Sequence, residues 1–339
     1  MRRGVLAGLG ALLAAASVVV APAASAASGL PLSGFGDVVV DAAHRQVFVS
    51  GGPSSNGVVV VDFNGLVRKT IPNQAGADGL ELSADGSRLF VALSAGDAVS
   101  AIDTVTLTEA ARYPTEAGSC PTHLARTGDV VWFGYGCAGT WAGKIGKLDP
   151  AAATPVQSDR QGATRFQRAP LLPSSGAAAA PMVAGRLSLS QSLVQVYTVA
   201  DGALAPGASS DAVGANLTDL DVTGDGVTLF SAAGSRDRVE GFATQDFARR
   251  GAYATRPRPV AVALSPDDAH VVTGTSATDL LIYPTGGATP TRTITLDGGE
   301  TLLPRGLAWS ADQEYLAVVS RQGNEAQPRL SLKYRPLGW

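Results

Sequence analysis

Histidine and cysteine are scarce, at three and two in 339 residues. That supply nearly excludes a Cys/His zinc site, and no C-x-x-C pair is present. Charge is sparse too: Asp, Glu, Lys and Arg make up 16%. With a formal net charge of -3, the chain has no basic footprint for nucleic acid. No G-x-S-x-G elbow and no P-loop occur. No convincing helical period follows residue 27. What the chain has in quantity is apolar residues, at 45%, with 40 Gly and 20 Pro. This is enough to build a core and to interrupt it often.

The one long apolar run lies at the N-terminus. Arg2 and Arg3 precede an apolar stretch from Gly4 to Val20, Pro22 breaks it, and Ala24-Ser25-Ala26 follows. A basic start, a short apolar run and an A-x-A site predict a signal peptide over residues 1–26, removed by the general secretory route. No cysteine closely follows, so a lipid anchor is not expected. No other run is long enough to span a membrane once the signal is gone. The expected product is secreted, with one domain over 27–339. The Ala- and Gly-rich signal suggests a high-GC bacterial source. In an oxidising compartment two cysteines should pair.

The rest of the chain repeats. Leu80-Glu81-Leu82-Ser83-Ala84-Asp85-Gly86 runs into Arg88-Leu89-Phe90-Val91-Ala92-Leu93: strand, polar turn, strand. The same grammar returns with first strands closing at Asp41, Ser83, Thr127, Ser174, Thr223, Ser265 and Ser310, 42 to 49 residues apart. A third strand follows each pair, as at Val58-Val59-Val60-Val61-Asp62, and a less apolar fourth usually closes the unit. Short apolar runs bounded by Gly, Pro, Asp and Asn predict strands. Seven such units predict an all-β, seven-bladed β-propeller with four-stranded antiparallel blades.

The Ser-x-Asp-Gly turn, as at Ser83-Ala84-Asp85-Gly86, and the Val/Ile-Asp third strand resemble the YVTN-type repeats of bacterial seven-bladed propellers. The likeness covers about residues 30–335. The Trp-Asp and Gly-His dipeptides of true WD repeats are missing. The resemblance implies the fold and says little of function, because propellers host binders, scaffolds and enzymes alike.

Unit seven runs out of chain before its fourth strand. The segment Gly29-Leu30-Pro31-Leu32-Ser33 is therefore expected to close the ring as the outer strand of blade seven, where Pro31 suits an edge.

Gly128-Asp129 reads as a two-residue hairpin turn. In that register facing residues sum to 257, which places Cys120 opposite Cys137 and predicts a structural disulfide at the mouth of blade three. Gly134-Tyr135-Gly136-Cys137-Ala138-Gly139 matches G-x-G-x-x-G but opens no helix, so it reads as a strand end and loop. Asp221-Val222-Thr223-Gly224-Asp225-Gly226 starts like a calcium loop. Its twelfth position is Ala232, however, and it reads as an ordinary turn.

His123, with Glu81, Asp219 and Asp221 on other inner strands, is expected to line the central channel. The four are the catalytic candidates. One loop face should carry Trp141, Arg165, Phe166, Arg168, Arg256, Arg258 and Arg305, suited to anion or carbohydrate contact. It also carries Asp78, Asp97 and Glu116. With no catalytic constellation assembled, the expected function is a binding or protein-interaction module. Its partner would be a protein, a cell-wall component or a carbohydrate, and no cofactor is implied. The alternative is a lactonase-like or other hydrolase working in the central funnel, as similar propellers include such enzymes.

Overall fold

The second strand of blade one shows how the ring is built. In Gln46–Ser50, Val47 and Val49 pack toward blade seven, while Phe48 packs toward blade two. In Arg88–Leu93, Leu89, Val91 and Leu93 face blade one, and Phe90 and Ala92 face blade three. A strand's side chains alternate, so one apolar strand feeds two cores. Seven apolar clusters result among the described residues, each lying between two successive blades.

The computed structural model describes residues 27–138, 141–187, 191–200 and 202–338. The expected signal peptide, residues 1–26, lies outside them. Seven antiparallel sheets form a ring, with one short 3-10 turn at Asp297–Gly299 as the sole helical element among these residues. No helix among them is long and apolar enough to cross a membrane. Each blade runs outward from its first strand, as in Ala77–Leu82, Arg88–Leu93, Ala98–Asp103 and Thr108–Pro114.

Among the described residues six sheets have four strands and the fourth blade has three, Met182–Arg186, Leu193–Ala200 and Ala203–Ser210. Its innermost position, expected at Leu171 to Ser174, is reduced to one antiparallel bridge between Leu171 and Gly185. The two exchange both backbone hydrogen bonds, at 2.9 and 2.8 Å. Pro170 and Pro173 flank this bridge and bring no N–H, so the ladder stops there.

The polar turn between first and second strands is built four times the same way. Ser83, Thr223, Ser265 and Ser310 donate their hydroxyls to Asp85, Asp225, Asp267 and Asp312. Each hydroxyl also accepts the N–H five residues on, from Arg88, Thr228, His270 and Tyr315. The third residue after the hydroxyl adopts positive φ, which explains Gly86 and Gly226 there; Asp268 and Gln313 accept the same geometry. Asp62 and Asp103, ending third strands, cap the next turn by accepting backbone N–H groups. The repeat signature is therefore turn chemistry.

The N-terminal segment closes the ring as expected, but the strand is Ser28–Gly29 and not Gly29 to Ser33. Ser28–Gly29 pairs antiparallel with Arg329–Leu330 as the outermost strand of blade seven. The strand is short and ends before Pro31, which is exposed. Leu30 is fully buried and Leu32 nearly so, in the cluster shared by blades seven and one. Truncation of a buried leucine costs about 2–5 kcal/mol. We expect Leu30→Ala to lower the melting temperature by several degrees. An unchanged melt would show that this segment does not hold the ring.

Candidate functional site

At the axis, three aspartates repeat one device. Asp37 accepts the N–H of Val38 through Oδ1, at 2.9 Å, and that of Leu80 through Oδ2, at 3.0 Å. Asp219 takes Leu220 and Val262, both at 2.9 Å. Asp221 takes Val222 and Leu264, at 2.8 and 2.7 Å. In each case the second donor lies on the next blade, 43 residues along. The carboxylates therefore stitch inner strands whose N–H groups have no strand partner on the channel side. Glu81 does a related task over a longer span. It accepts the Ser174 hydroxyl of blade four, lies 3.5 Å from the Arg126 Nε of blade three, and Ser174 in turn accepts the Arg126 N–H.

Glu81, Asp219 and Asp221 share one axial cavity of about 330 Å³ with Asp37, Arg305 and Trp309. His123 does not line it. His123 belongs to a second cavity, of about 420 Å³, at the mouth of the funnel. The expected channel quartet is thus split between two spaces.

Arg305 links the two spaces. The sequence suggested an exposed loop arginine; instead its side chain is mostly buried. It donates to Asp37 Oδ2 at 2.6 Å and meets His123 Nδ1 at 3.0 Å. A guanidinium only donates, so Nδ1 accepts and the neutral imidazole carries its proton on Nε2. Burial first, then Arg305 and Arg168, hold His123 well below its ordinary value. Arg305 sits at positive φ inside an irregular stretch between Leu302 and Leu307. Asp78 lies within a similar irregularity between Ala77 and Leu80. Bulges re-aim side chains, and here they turn both toward the axis.

Asp78 differs from its neighbours. It is 6% exposed, and its carboxylate has no hydrogen-bond or ion-pair partner among the described residues. Only its backbone carbonyl is engaged, by the Ser50 hydroxyl. Burial lifts its carboxyl to about 6, with Arg305 opposing and Asp37 adding to the rise. It lines the mouth cavity beside His123, Thr122, Arg168, Ala169, Leu187 and the Cys120–Cys137 pair.

That pair is a disulfide with Cα atoms 5.2 Å apart. The hairpin register is the expected one, with His123 facing Gly134 and Thr127 facing Val130. A loop of this size stabilises by roughly 3 kcal/mol. The glycine motif next to it serves close packing: a Cβ on Gly134 would lie 2.2 Å from the Pro170 carbonyl oxygen. Its last residue, Gly139, lies outside the described residues.

The remaining loop-face candidates do not converge. Trp141 is exposed, Arg165 is exposed, and Arg256 pairs loosely with Asp279 at 3.6 Å. Arg258 lies with Arg236 and Arg238 around a separate shallow depression. Phe166, expected on this face, is fully buried between blades three and four. Asp97, also expected there, instead caps the loop before Cys120 by accepting the Gly118 and Cys120 N–H groups. Among the described residues no cluster of three or more His, Cys, Asp or Glu side chains could hold a metal ion.

No family model matches the chain, and no curated protein matches it in sequence. Solved structures do. A chain of the "Crystal Structure of Mitotic Checkpoint Complex" superposes with a TM-score of 0.69 at 15% identity, covering 98% of this chain and 99% of that one. "Structure of U3-55K" gives 0.69 at 12%, covering 90% and 96%. "Kuenenia stuttgartiensis Hydrazine Synthase" gives 0.63 at 15%, covering 86% and 94%. At such identities the likeness shows the seven-bladed fold alone.

The buried acids make stability depend on pH. Burial lifts Glu81 to about 7, against Ser174 and Arg126, and lifts Asp221 also to about 7, against the N–H groups of Leu264 and Val222. Unfolded, these groups titrate near 4.5 and 3.8. Their contribution is therefore complete below the unfolded values and is lost as pH rises toward 7. For Glu81 the loss is about 3 kcal/mol at most. We expect Glu81→Gln to match the wild type near pH 4.5 and to melt higher at pH 8. Parallel melting curves across that range would contradict this.

Proposed function

We propose that the chain is an exported propeller of the YVTN-repeat type. It acts outside the cell as a binding module, with its ligand seated at the funnel mouth. One observation carries this reading. The mouth cavity holds a buried carboxylate with no partner, whereas the axial carboxylates of Glu81, Asp37, Asp219 and Asp221 are all engaged by the protein itself. A cavity of about 420 Å³ with mainly apolar walls and a few polar groups is of the size that small ligands occupy.

The hydrolase reading asks His123, Glu81, Asp219 and Asp221 to act together. His123 stands apart from the other three, and its Nδ1 is taken by Arg305. A general base must reach its proton, and the acids here are committed to backbone N–H groups or to Ser174 and Arg126. The structural neighbours name both an assembly and an enzyme, so they favour neither.

Export is supported by the basic start, the apolar run and the small-residue site. The disulfide fits an oxidising destination. We expect mass spectrometry of the secreted protein to give a chain beginning at Ala27, with no free thiol. A retained N-terminus would overturn export by cleavage.

Binding is checked by screening the purified chain for thermal shift against amines, sugars and carboxylates, and for turnover against lactones. We expect at least one compound to raise the melting temperature by several degrees, and Ala95→Trp at the rim of the cavity to abolish that rise. Lactone turnover that disappears in a folded His123→Ala variant would reverse the assignment.

A further inference from the structure

The unpartnered acid specifies what the mouth cavity takes. Near the axis, Asp37, Asp78 and Asp219 all act on the Arg305 guanidinium, and the first two differ in how they meet it. Asp37 holds it directly, at 2.6 Å, and also receives two backbone N–H groups. Asp78 has none of these, although it is buried. His123 cannot supply the missing charge, since its Nδ1 accepts from Arg305 and the ring is neutral. Arg168 is a rim residue, exposed and hydrated. Among the described residues Asp78 is therefore the one carboxylate of the cavity and has no cation in direct contact, while the walls are apolar: Ala95, Ala169, Leu187 and the disulfide.

We propose that the mouth cavity binds a small organic cation, a primary ammonium on an apolar body, with the ammonium on Asp78. This rests on the reading of the mouth as the binding site and adds the ligand class. A buried carboxylate without a partner is costly, and a ligand that pairs with it recovers that cost on binding. An ammonium is compact and offers three donors, which suits a carboxylate with all its lone pairs free. The apolar body covers the alanine and leucine walls. An anion would meet Asp78 with only the exposed Arg168 to offset the repulsion, because Arg305 is already held by Asp37.

Calorimetry on the purified, oxidised chain at pH 8 tests this with three probes of one shape: phenethylammonium, 2-phenylethanol and 3-phenylpropionate. We expect the ammonium to bind at least tenfold more tightly than the alcohol, and the carboxylate more weakly than either. In Asp78→Asn the ammonium should lose at least tenfold while the alcohol is unchanged. Equal affinity of ammonium and alcohol in the wild type overturns the proposal, with no variant needed. So does an ammonium preference that survives Asp78→Asn, and so does absence of ammonium binding. If the alcohol binds while the ammonium has no advantage, the mouth remains a binding site and only the ligand class falls. If no probe binds and the wider screen also yields nothing, the binding-module reading falls with it.

Discussion

A blade buries both its faces only when it has a neighbour on each side. Everything else in this molecule follows from that requirement. Val47 and Val49 need blade seven, and Phe48 needs blade two. A linear stack would leave two apolar faces in water, and the ring removes both ends. The cost of closure falls on one junction, where the first residues of the domain must find the last blade. Two paired residues, Ser28 and Gly29, supply little ladder energy. The weight falls instead on Leu30 and Leu32, which complete the cluster between blades seven and one. Closure is thus mainly a packing event directed by a short strand.

Much of this was legible in the sequence, because the residues that set turns are local. Ser83, Asp85 and Gly86 act within one hairpin, and their pattern predicts the hairpin before any packing is known. The register that places Cys120 by Cys137 follows from one turn and simple counting. Blade four was harder. Leu171 and Leu172 have the apolarity of an inner strand and both are buried, but the prolines beside them remove the ladder. Composition reads burial there correctly and hydrogen bonding incorrectly. Arg305 and Asp78 were read as loop-face charges. Bulges turned them inward, and a bulge leaves almost no mark in a single sequence. The one available signal was the regular spacing of 43 between Asp37 and Leu80 and between Asp219 and Val262, which becomes meaningful only once inner strands are known to be neighbours.

The stitching also constrains where function can sit. An inner strand in a closed ring exposes N–H groups to a narrow channel. Asp37, Asp219 and Asp221 satisfy them, and burial then holds all three carboxyls above their ordinary range. Asp219 is held well above it, and Arg305 is kept charged by Asp37, Asp78 and Asp219 together, which outweigh its burial. A carboxyl committed to two backbone donors has little freedom to move protons for a substrate. The channel is rich in acids, and these acids hold neighbouring inner strands together.

The mouth of the funnel escapes this constraint. There the ladders are already broken by bulges, so a side chain is released from stitching without cost to a blade. Asp78 is the clearest case. It sits one residue beyond Ala77 in a blade whose pairing resumes at Leu80, and Leu80 gives its N–H to Asp37. The stitch between blades one and two is made by Asp37, which leaves Asp78 buried and uncommitted in the same turn of chain. Beside it the disulfide fixes the opposite wall and Arg305 fixes the imidazole of His123. A cavity with one carboxylate free of direct partners is therefore what this ring produces when the repeat is interrupted at blade two and braced at blade three. The repeat supplies the rigid frame and the interruption supplies the variation, which is how one fold can carry unrelated sites on the same frame.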